Sequence, residues 1–230
     1  MEIFDEHLSL RDYPEFASLT ESEYLEIENN LYSRTYKKGQ ILFDPGDERS
    51  RIFFLTKGLV KFEKMDASGN FFYIDFAKEK TLFPYIGFFE DDSYHFSAMA
   101  MTDIELFYLP TKRFEQIIQS NNQQLIFYLK QLSSQLKKYE LKIQGCVTSS
   151  AFQRVKHTIT ILMEELGEKT YDGQIIIPYA IQMNDLSRSS GTTRETASLA
   201  IKKMVTEHKI HYVHKKLTIC DVAYFSKLTE

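Results

Sequence analysis

The sequence contains no tryptophan, and only two cysteines, five prolines and nine glycines among 230 residues. The cysteines, Cys146 and Cys220, are too few for a disulfide framework and lack metal-type spacing, which suits a reducing, cytoplasmic setting. Proline and glycine are too sparse for a collagen-like or low-complexity chain. No stretch approaches the ~20 apolar residues of a membrane span. The start, Met1-Glu2-Ile3-Phe4-Asp5-Glu6, has neither the basic flank nor the apolar run of a secretory signal. What is present is 43% hydrophobic residues with eighteen Phe and fourteen Tyr, ample core for one large domain or two ordinary ones.

The formal net charge of −4 hides an asymmetry. Residues 1–146 carry 17 Lys and Arg against 23 Asp and Glu; residues 147–230 carry 11 against 9, with four of the six histidines. An acidic front and a mildly basic rear point to the rear as the part that approaches phosphate.

Thr20-Glu21-Ser22-Glu23 reads as a capping box opening a helix through about Tyr32. From Thr35 to Leu109, short runs of Phe, Ile, Tyr, Val and Leu alternate with turn signals at Lys38-Gly39, Asp44-Pro45-Gly46-Asp47, Lys57-Gly58 and Ser68-Gly69-Asn70. Such punctuation predicts an antiparallel sandwich or barrel. Pro110 ends the last strand, and Thr111 is expected to cap a short helix through Ser120. A long helix follows, in which Leu125, Leu129, Leu132, Leu136, Tyr139 and Ile143 recur every 3.5 residues. That seam, roughly 28 Å long, either packs on the chain's own barrel or pairs with a second copy; its regularity favours the two-fold dimer. Gly145 is expected to end the helix as a hinge. Beyond it come a helix from Phe152 to Leu166, a strand at Ile175-Ile176-Ile177, two helices around Gly191, and a hairpin from Ile210 to Asp221 turning near Lys215-Lys216. The expected architecture is therefore α+β, with an N-terminal β-roll sensor (1–110), a dimerisation helix and hinge (111–145) and a C-terminal winged helix-turn-helix (146–230).

The two helices around Gly191 carry the functional signal. Gly191 suits a sharp turn that needs positive φ, and Leu186, Ala200, Ile201 and Met204 form a buried stripe, with small Ser187 and Ala197 at the crossing. Arg194 and Glu195 then fall in the first turn of the second helix, the part of such a helix that reaches base edges. Arginine bonds guanine O6 and N7 in bidentate fashion and glutamate accepts from cytosine N4. Arg194, Glu195 and Ser198 are candidates for base contact. Thr192, Thr193, Lys202, Lys215 and Lys216 are candidates for phosphate contact. The expected partner is double-stranded palindromic DNA, bound without enzymatic activity and without a cofactor.

The order of parts, together with Gly-Thr-Thr-Arg-Glu-Thr-Ala at 191–197, resembles the CRP/FNR family of bacterial transcription regulators across nearly the whole chain. The resemblance implies that Thr193 touches phosphate, that Arg194 and Glu195 read a G and a C in each half-site, and that RNA polymerase is a further partner. The family's third base-reading position falls on Leu199, which has no polar group for that task. Members that bind cyclic AMP carry Gly-Glu-Leu and, downstream, Arg-Ser. Here the corresponding residues are Pro84-Tyr85-Ile86-Gly87-Phe88-Phe89 and Phe96-Ser97, so no cyclic-nucleotide binding is expected. The cysteine cluster of the oxygen-sensing branch is absent, and His95 is the barrel's single candidate haem ligand. Leu82-Phe83-Pro84 and the Thr-Arg-Glu-Thr-Ala helix look most like the Gram-positive branch that controls the arginine deiminase pathway. A relation to glutathione- or redox-responsive virulence regulators is the alternative. An effector pocket, if one exists, would draw on Phe71, Phe72, Phe83, Tyr85, Phe88 and Phe96, although a closed aromatic core is the preferred reading. A cupin-type metal enzyme needs several converging His and carboxylate ligands, which one barrel histidine cannot supply. His208, His211 and His214 with Cys220 match no familiar zinc spacing.

Overall fold

The computed structural model describes residues 10–67, 72–147 and 150–226. The expected turn at Ser68-Gly69-Asn70, the aromatic Phe71 and the first residues of the chain lie outside these. The chain divides into two compact units, Met1–Phe62 with Asp75–Gln135, and Glu63–Ile74 with Leu136–Glu230.

The first unit opens with a 3-10 turn, Leu10–Asp12, and α1, Glu21–Asn29. The capping box forms as expected: the Thr20 hydroxyl accepts from the Glu23 N–H, and the Glu23 carboxylate accepts from the Thr20 N–H at 2.8 Å. This helix ends three residues earlier than Tyr32, because Tyr32 is taken into a strand opposite Tyr108. Among the described residues eight strands follow: β1 (Tyr32–Tyr36), β2 (Ile41–Phe43), β3 (Arg51–Lys57), β4 (Val60–Met65), β5 (Phe72–Ala77), β6 (Thr81–Phe83), β7 (Ser97–Ala100) and β8 (Ile104–Pro110). Of these, β4 and β5 include residues of the Glu63–Ile74 stretch. They form two four-stranded sheets, ordered β1-β8-β3-β6 and β2-β7-β4-β5. The β1–β8, β3–β8, β3–β6 and β2–β7 pairings are antiparallel. Asp44-Pro45-Gly46-Asp47 makes its tight turn, with the Asp47 N–H donating to the Asp44 carbonyl at 3.1 Å.

Strand β3 shows why the sequence needs its aromatics. Ile52, Phe53, Phe54 and Leu55 are all buried, because the strand is covered on both faces. Phe53 stacks on Phe43 at 5.6 Å and on Phe83 at 5.4 Å, and Phe62 joins Phe83 and Phe96 at 5.1 and 4.9 Å. Phe54 and Ile52 belong to a second cluster with Tyr13, Phe16, Phe114 and Tyr128. Each such ring removes apolar surface from water worth about 1.5–3 kcal/mol. Tyr94, stacked on Phe43 at 3.8 Å, has its hydroxyl pushed up to about 12 by burial and donates to the Arg51 carbonyl at 2.9 Å.

After the sheets come α2 (Thr111–Ser120) and α3 (Asn122–Val147). Thr111 is not a cap: Pro110 occupies the N-cap position without a side-chain bond, and the Thr111 hydroxyl is buried inside the first turn without a partner. Gly145 does not end α3, which runs on to Val147. A Cβ at Gly145 would collide with the ring of His157, whose Nε2 lies 3.1 Å from the Leu141 carbonyl oxygen. The glycine is there for close packing rather than as a stop signal.

The second unit holds α4 (Ala151–Leu166), β9 (Glu168–Lys169), β10 (Ile175–Ile177), α5 (Met183–Ser189), α6 (Arg194–Thr206), β11 (Ile210–Val213), β12 (Lys216–Ile219) and α7 (Val222–Ser226). Helix α4 packs on α5, α6 and α7, and the strands form one antiparallel sheet ordered β11-β12-β10-β9. Three helices and a terminal hairpin are the winged helix-turn-helix arrangement. The hairpin turns at His214-Lys215, both at positive φ (51° and 64°), a type I′ geometry; Lys216 opens the return strand instead of sharing the turn.

A buried ion pair pins the front unit together. Arg49 is buried, and its Nη1 and Nη2 donate to Glu115 Oε1 at 2.8 and 2.9 Å. The same oxygen accepts the Phe89 N–H at 3.0 Å, tying the loop before β7 to α2. Glu115→Ala is expected to destabilise this unit by about 3–5 kcal/mol in chemical denaturation, because it strands a buried guanidinium. The pair Arg49→Met with Glu115→Leu should recover most of that loss.

Candidate nucleic-acid interface

The turn between α5 and α6 is built by hydrogen bonds at every step. Ser190 donates through its hydroxyl to the Leu186 carbonyl at 2.7 Å, and the Thr192 N–H reaches the Ser187 carbonyl at 3.0 Å. Gly191 sits at φ +55°, a left-handed conformation that side-chain-bearing residues rarely adopt. Arg154 of α4 then closes the turn: its Nε donates to the Ser190 carbonyl at 2.9 Å and its Nη2 to the Gly191 carbonyl at 3.0 Å. No local sequence signature announces Arg154, since its partners lie 36 and 37 residues away. It is the supporting residue of the candidate site that the sequence pattern missed.

Thr193 is the N-cap of α6, its hydroxyl oxygen accepting from the Thr196 N–H at 3.2 Å. That bond sets where the helix begins and leaves Arg194 and Glu195 as its first two residues, both exposed. The Glu195 carboxyl is held below the usual carboxylate range, by its own backbone N–H first and then by the Thr193 hydroxyl, so it remains an acceptor through neutral pH. Ala197, Ala200, Ile201 and Met204 are buried as the stripe predicted. Ser198, Leu199 and Lys202 lie on the exposed side, and Thr192 is half-buried in the turn. Lys215 and Lys216 are exposed at the wing tip, where the Lys215 carbonyl accepts from the Ile181 N–H at 2.8 Å. Lys203 lies 4.7 Å from the Phe152 ring. Among the described residues, no group of three or more His, Cys, Asp or Glu side chains gathers as metal ligands. Cys220 is a free thiol pushed up by burial.

Four of the aromatics considered as an effector pocket, Phe83, Phe96, Tyr85 and Phe88, divide between two clusters. Phe83 and Phe96 fill the space between the two sheets through Phe62. Tyr85 and Phe88 turn toward Tyr128 at 6.2 and 5.8 Å in the other cluster. Phe72 lies under the Arg188 guanidinium at 4.1 Å, where Arg188 also pairs with Glu63 at 3.0 Å. Phe71 is outside the described residues. The physical reason for the division is that β6 ends at Phe83, so Tyr85 and Phe88 lie in the segment beyond it and are free to pack on α3. Along α3, Leu129, Leu136 and Ile143 remain 58%, 68% and 62% exposed, whereas Leu125, Leu132 and Tyr139 are half-buried. The Tyr139 hydroxyl accepts from that of Tyr73 at 3.1 Å.

Removing the Arg154 guanidinium should loosen the turn itself. Arg154→Ala is expected to cost about 1.5–3 kcal/mol of stability, the scale of hydrogen bonds from a charged donor. Faster hydrogen exchange at the Gly191 and Thr192 amides would accompany it, and unchanged exchange there would contradict the assigned role.

Residues 33–121 match the cyclic nucleotide-binding domain. The chain is 28% identical over 195 residues to the global nitrogen regulator of Nostoc sp., covering 80% of this chain and 86% of that protein. It is 26% identical to the HTH-type transcriptional regulator ArcR of Staphylococcus epidermidis, covering 90% of each. Its fold matches a crp/fnr-family transcriptional regulator from Eubacterium rectale with a TM-score of 0.71 at 16% identity, over 94% of this chain and 97% of that one. No helix among the described residues is long and apolar enough to cross a membrane. A roll of the nucleotide-binding type, followed in sequence by a winged helix-turn-helix, and regulator relatives along four-fifths or more of its length make this chain similar to the CRP/FNR family of transcription regulators.

Proposed function

We propose that the protein is a cytoplasmic, homodimeric regulator that reads a palindromic DNA operator with α6 and acts through RNA polymerase. The observation that carries this reading is the pairing of Arg194 and Glu195, adjacent and exposed in the first turn of a helix whose start is fixed by the Thr193 cap. A guanidinium donates to guanine, and the neighbouring carboxylate accepts from cytosine. Thr192, Thr193, Lys202, Lys215 and Lys216 surround that turn or stand on the wing as phosphate contacts, and Ser198 lies one turn along as a further base contact. Their charge makes affinity fall steeply with salt.

The dimer reading rests on the exposed side chains of α3. Leu129, Leu136 and Ile143 recur every seven residues and stay more than half exposed, an apolar line that a second copy would bury. Leu125, Leu132 and Tyr139 complete the seam. Two copies would present their α6 helices to successive major grooves ~34 Å apart.

The roll does not take a cyclic nucleotide in this reading. Aromatic rings occupy the space between its sheets, and in the loop holding Phe88 and Phe89 the Phe89 N–H already donates to the Glu115 carboxylate of α2. The buried Arg49 is already neutralised by that carboxylate. An anionic phosphate would enter unpaired, at a cost of several kcal/mol. The resemblance carried by Leu82-Phe83-Pro84 and the Thr-Arg-Glu-Thr-Ala helix favours control of arginine catabolism or anaerobic metabolism as the regulated process. The raised Cys220 thiol is a poor redox sensor, since the thiolate is the reactive form.

Selection of bound duplexes from a random pool should enrich a palindrome, and an unenriched pool would refute base reading. On the enriched operator, Arg194→Ala is expected to cost about 1–3 kcal/mol and to flatten preference at one base pair per half-site. Retained wild-type preference in a mobility-shift series would contradict the role of Arg194. Leu129→Glu with Leu136→Glu should give a monomer in sedimentation and lower operator affinity about 10²-fold or more, as bivalency is lost. A dimer that persists would remove α3 as the interface.

A further inference from the structure

Leu199 is the one large apolar side chain of α6 that is left exposed, at 68%, while Ala197, Ala200, Ile201 and Met204 bury the opposite side of the same helix. An isolated exposed leucine is ordinary on a protein surface. Its position here is not ordinary. At about 100° per residue, Leu199 lies about 40° round the helix from Glu195 and about 100° from Ala200, the nearest buried position. Arg194, Ser198, Lys202, Glu195 and Leu199 therefore share one exposed arc, with Leu199 one turn beyond Glu195 and about 7.5 Å along the axis from Arg194.

The groove-facing arc of a base-reading helix meets polar base edges nearly everywhere. A leucine there cannot bond to N7, O6, N6 or N4, and covering those atoms with it strips their water without replacement. The major groove offers one apolar group, the C5-methyl of thymine. Successive bases rise 3.4 Å along a strand, so 7.5 Å is about two steps from the base that Arg194 reads. We propose that Leu199 is a specificity-determining residue that recognises a thymine by contact with its 5-methyl group, about two base pairs from the position read by Arg194. This assignment rests on the reading of α6 as the base-contacting helix.

Replacing thymine by deoxyuridine removes the methyl group and leaves every hydrogen-bonding atom in place, which makes a direct test. The operator enriched from a random pool by the full-length wild type is resynthesised with deoxyuridine at each thymine of one half-site in turn. At one position, affinity should fall about fourfold, equivalent to ~0.8 kcal/mol for one buried methyl-sized group. Leu199→Ala should bind the thymine and deoxyuridine duplexes equally well, while its preference at the Arg194-dependent base pair persists. Because Leu199 is exposed, the variant should keep the wild-type unfolding temperature, which serves as the control for folding. The inference is overturned if no deoxyuridine weakens the wild type, if the penalty survives in Leu199→Ala, or if the operator contains no thymine whose preference depends on Leu199. A wild type that enriches no operator sinks the base-reading role of α6 itself. An operator that depends on Arg194 yet ignores the methyl group sinks only the role of Leu199.

Discussion

The Arg154 guanidinium donates to two consecutive carbonyls, those of Ser190 and Gly191, at the point where the chain must reverse between α5 and α6. Those carbonyls sit in a turn whose left-handed glycine leaves them outside any helical ladder. Left unbonded in its part-buried place, the Ser190 carbonyl would cost free energy comparable to a lost hydrogen bond. With them held from α4, the residues that follow have little freedom: Thr193 must cap, and Arg194 and Glu195 must emerge in the first turn. Site geometry of this kind needs supporting residues as much as the contacting ones. The direction in which α6 presents its polar and apolar groups is thus set by an arginine that takes no part in the presented surface.

The roll follows a different logic. Its interior is filled by rings that stack across the sheets, and its loop before β7 is bolted to α2 through Glu115, which accepts from both Arg49 and the Phe89 backbone. In the proposed reading, aromatic packing and an internal ion pair stand where a phosphate would need neutralising groups. Any signal that changed the regulator would have to act on that packing or on the long helix beyond it.

Much of this was legible in the residues, and the failures have identifiable causes. The capping box at Thr20, the turn at Asp44-Pro45-Gly46-Asp47, the buried stripe of α6 and the left-handed Gly191 are local devices, and local patterns announce them. Leu129, Leu136 and Ile143 were likewise visible as a period. Gly145 misled because a helix-interior glycine demanded by the ring of His157 looks, in sequence, like a stop. Thr111 misled because a good capping residue followed a proline that already held the cap position. Tyr85 and Phe88 part from Phe83 and Phe96 because β6 ends at Phe83, an end that composition does not record. Arg154 and the Arg49–Glu115 pair lay beyond reach for one reason: their partners are 36 to 66 residues distant, and only tertiary structure brings them together.

The central claim, that the first turn of α6 reads base edges through a guanidinium, is open to one direct measurement. Methylating guanine N7 in the enriched operator blocks the atom to which arginine donates, so interference footprinting reports the contact itself. For the wild type, one guanine in each half-site should block binding when methylated. With Arg194→Ala those same guanines should become indifferent to methylation while the remaining pattern is kept. An interference pattern identical in both proteins would mean that Arg194 never touches the base.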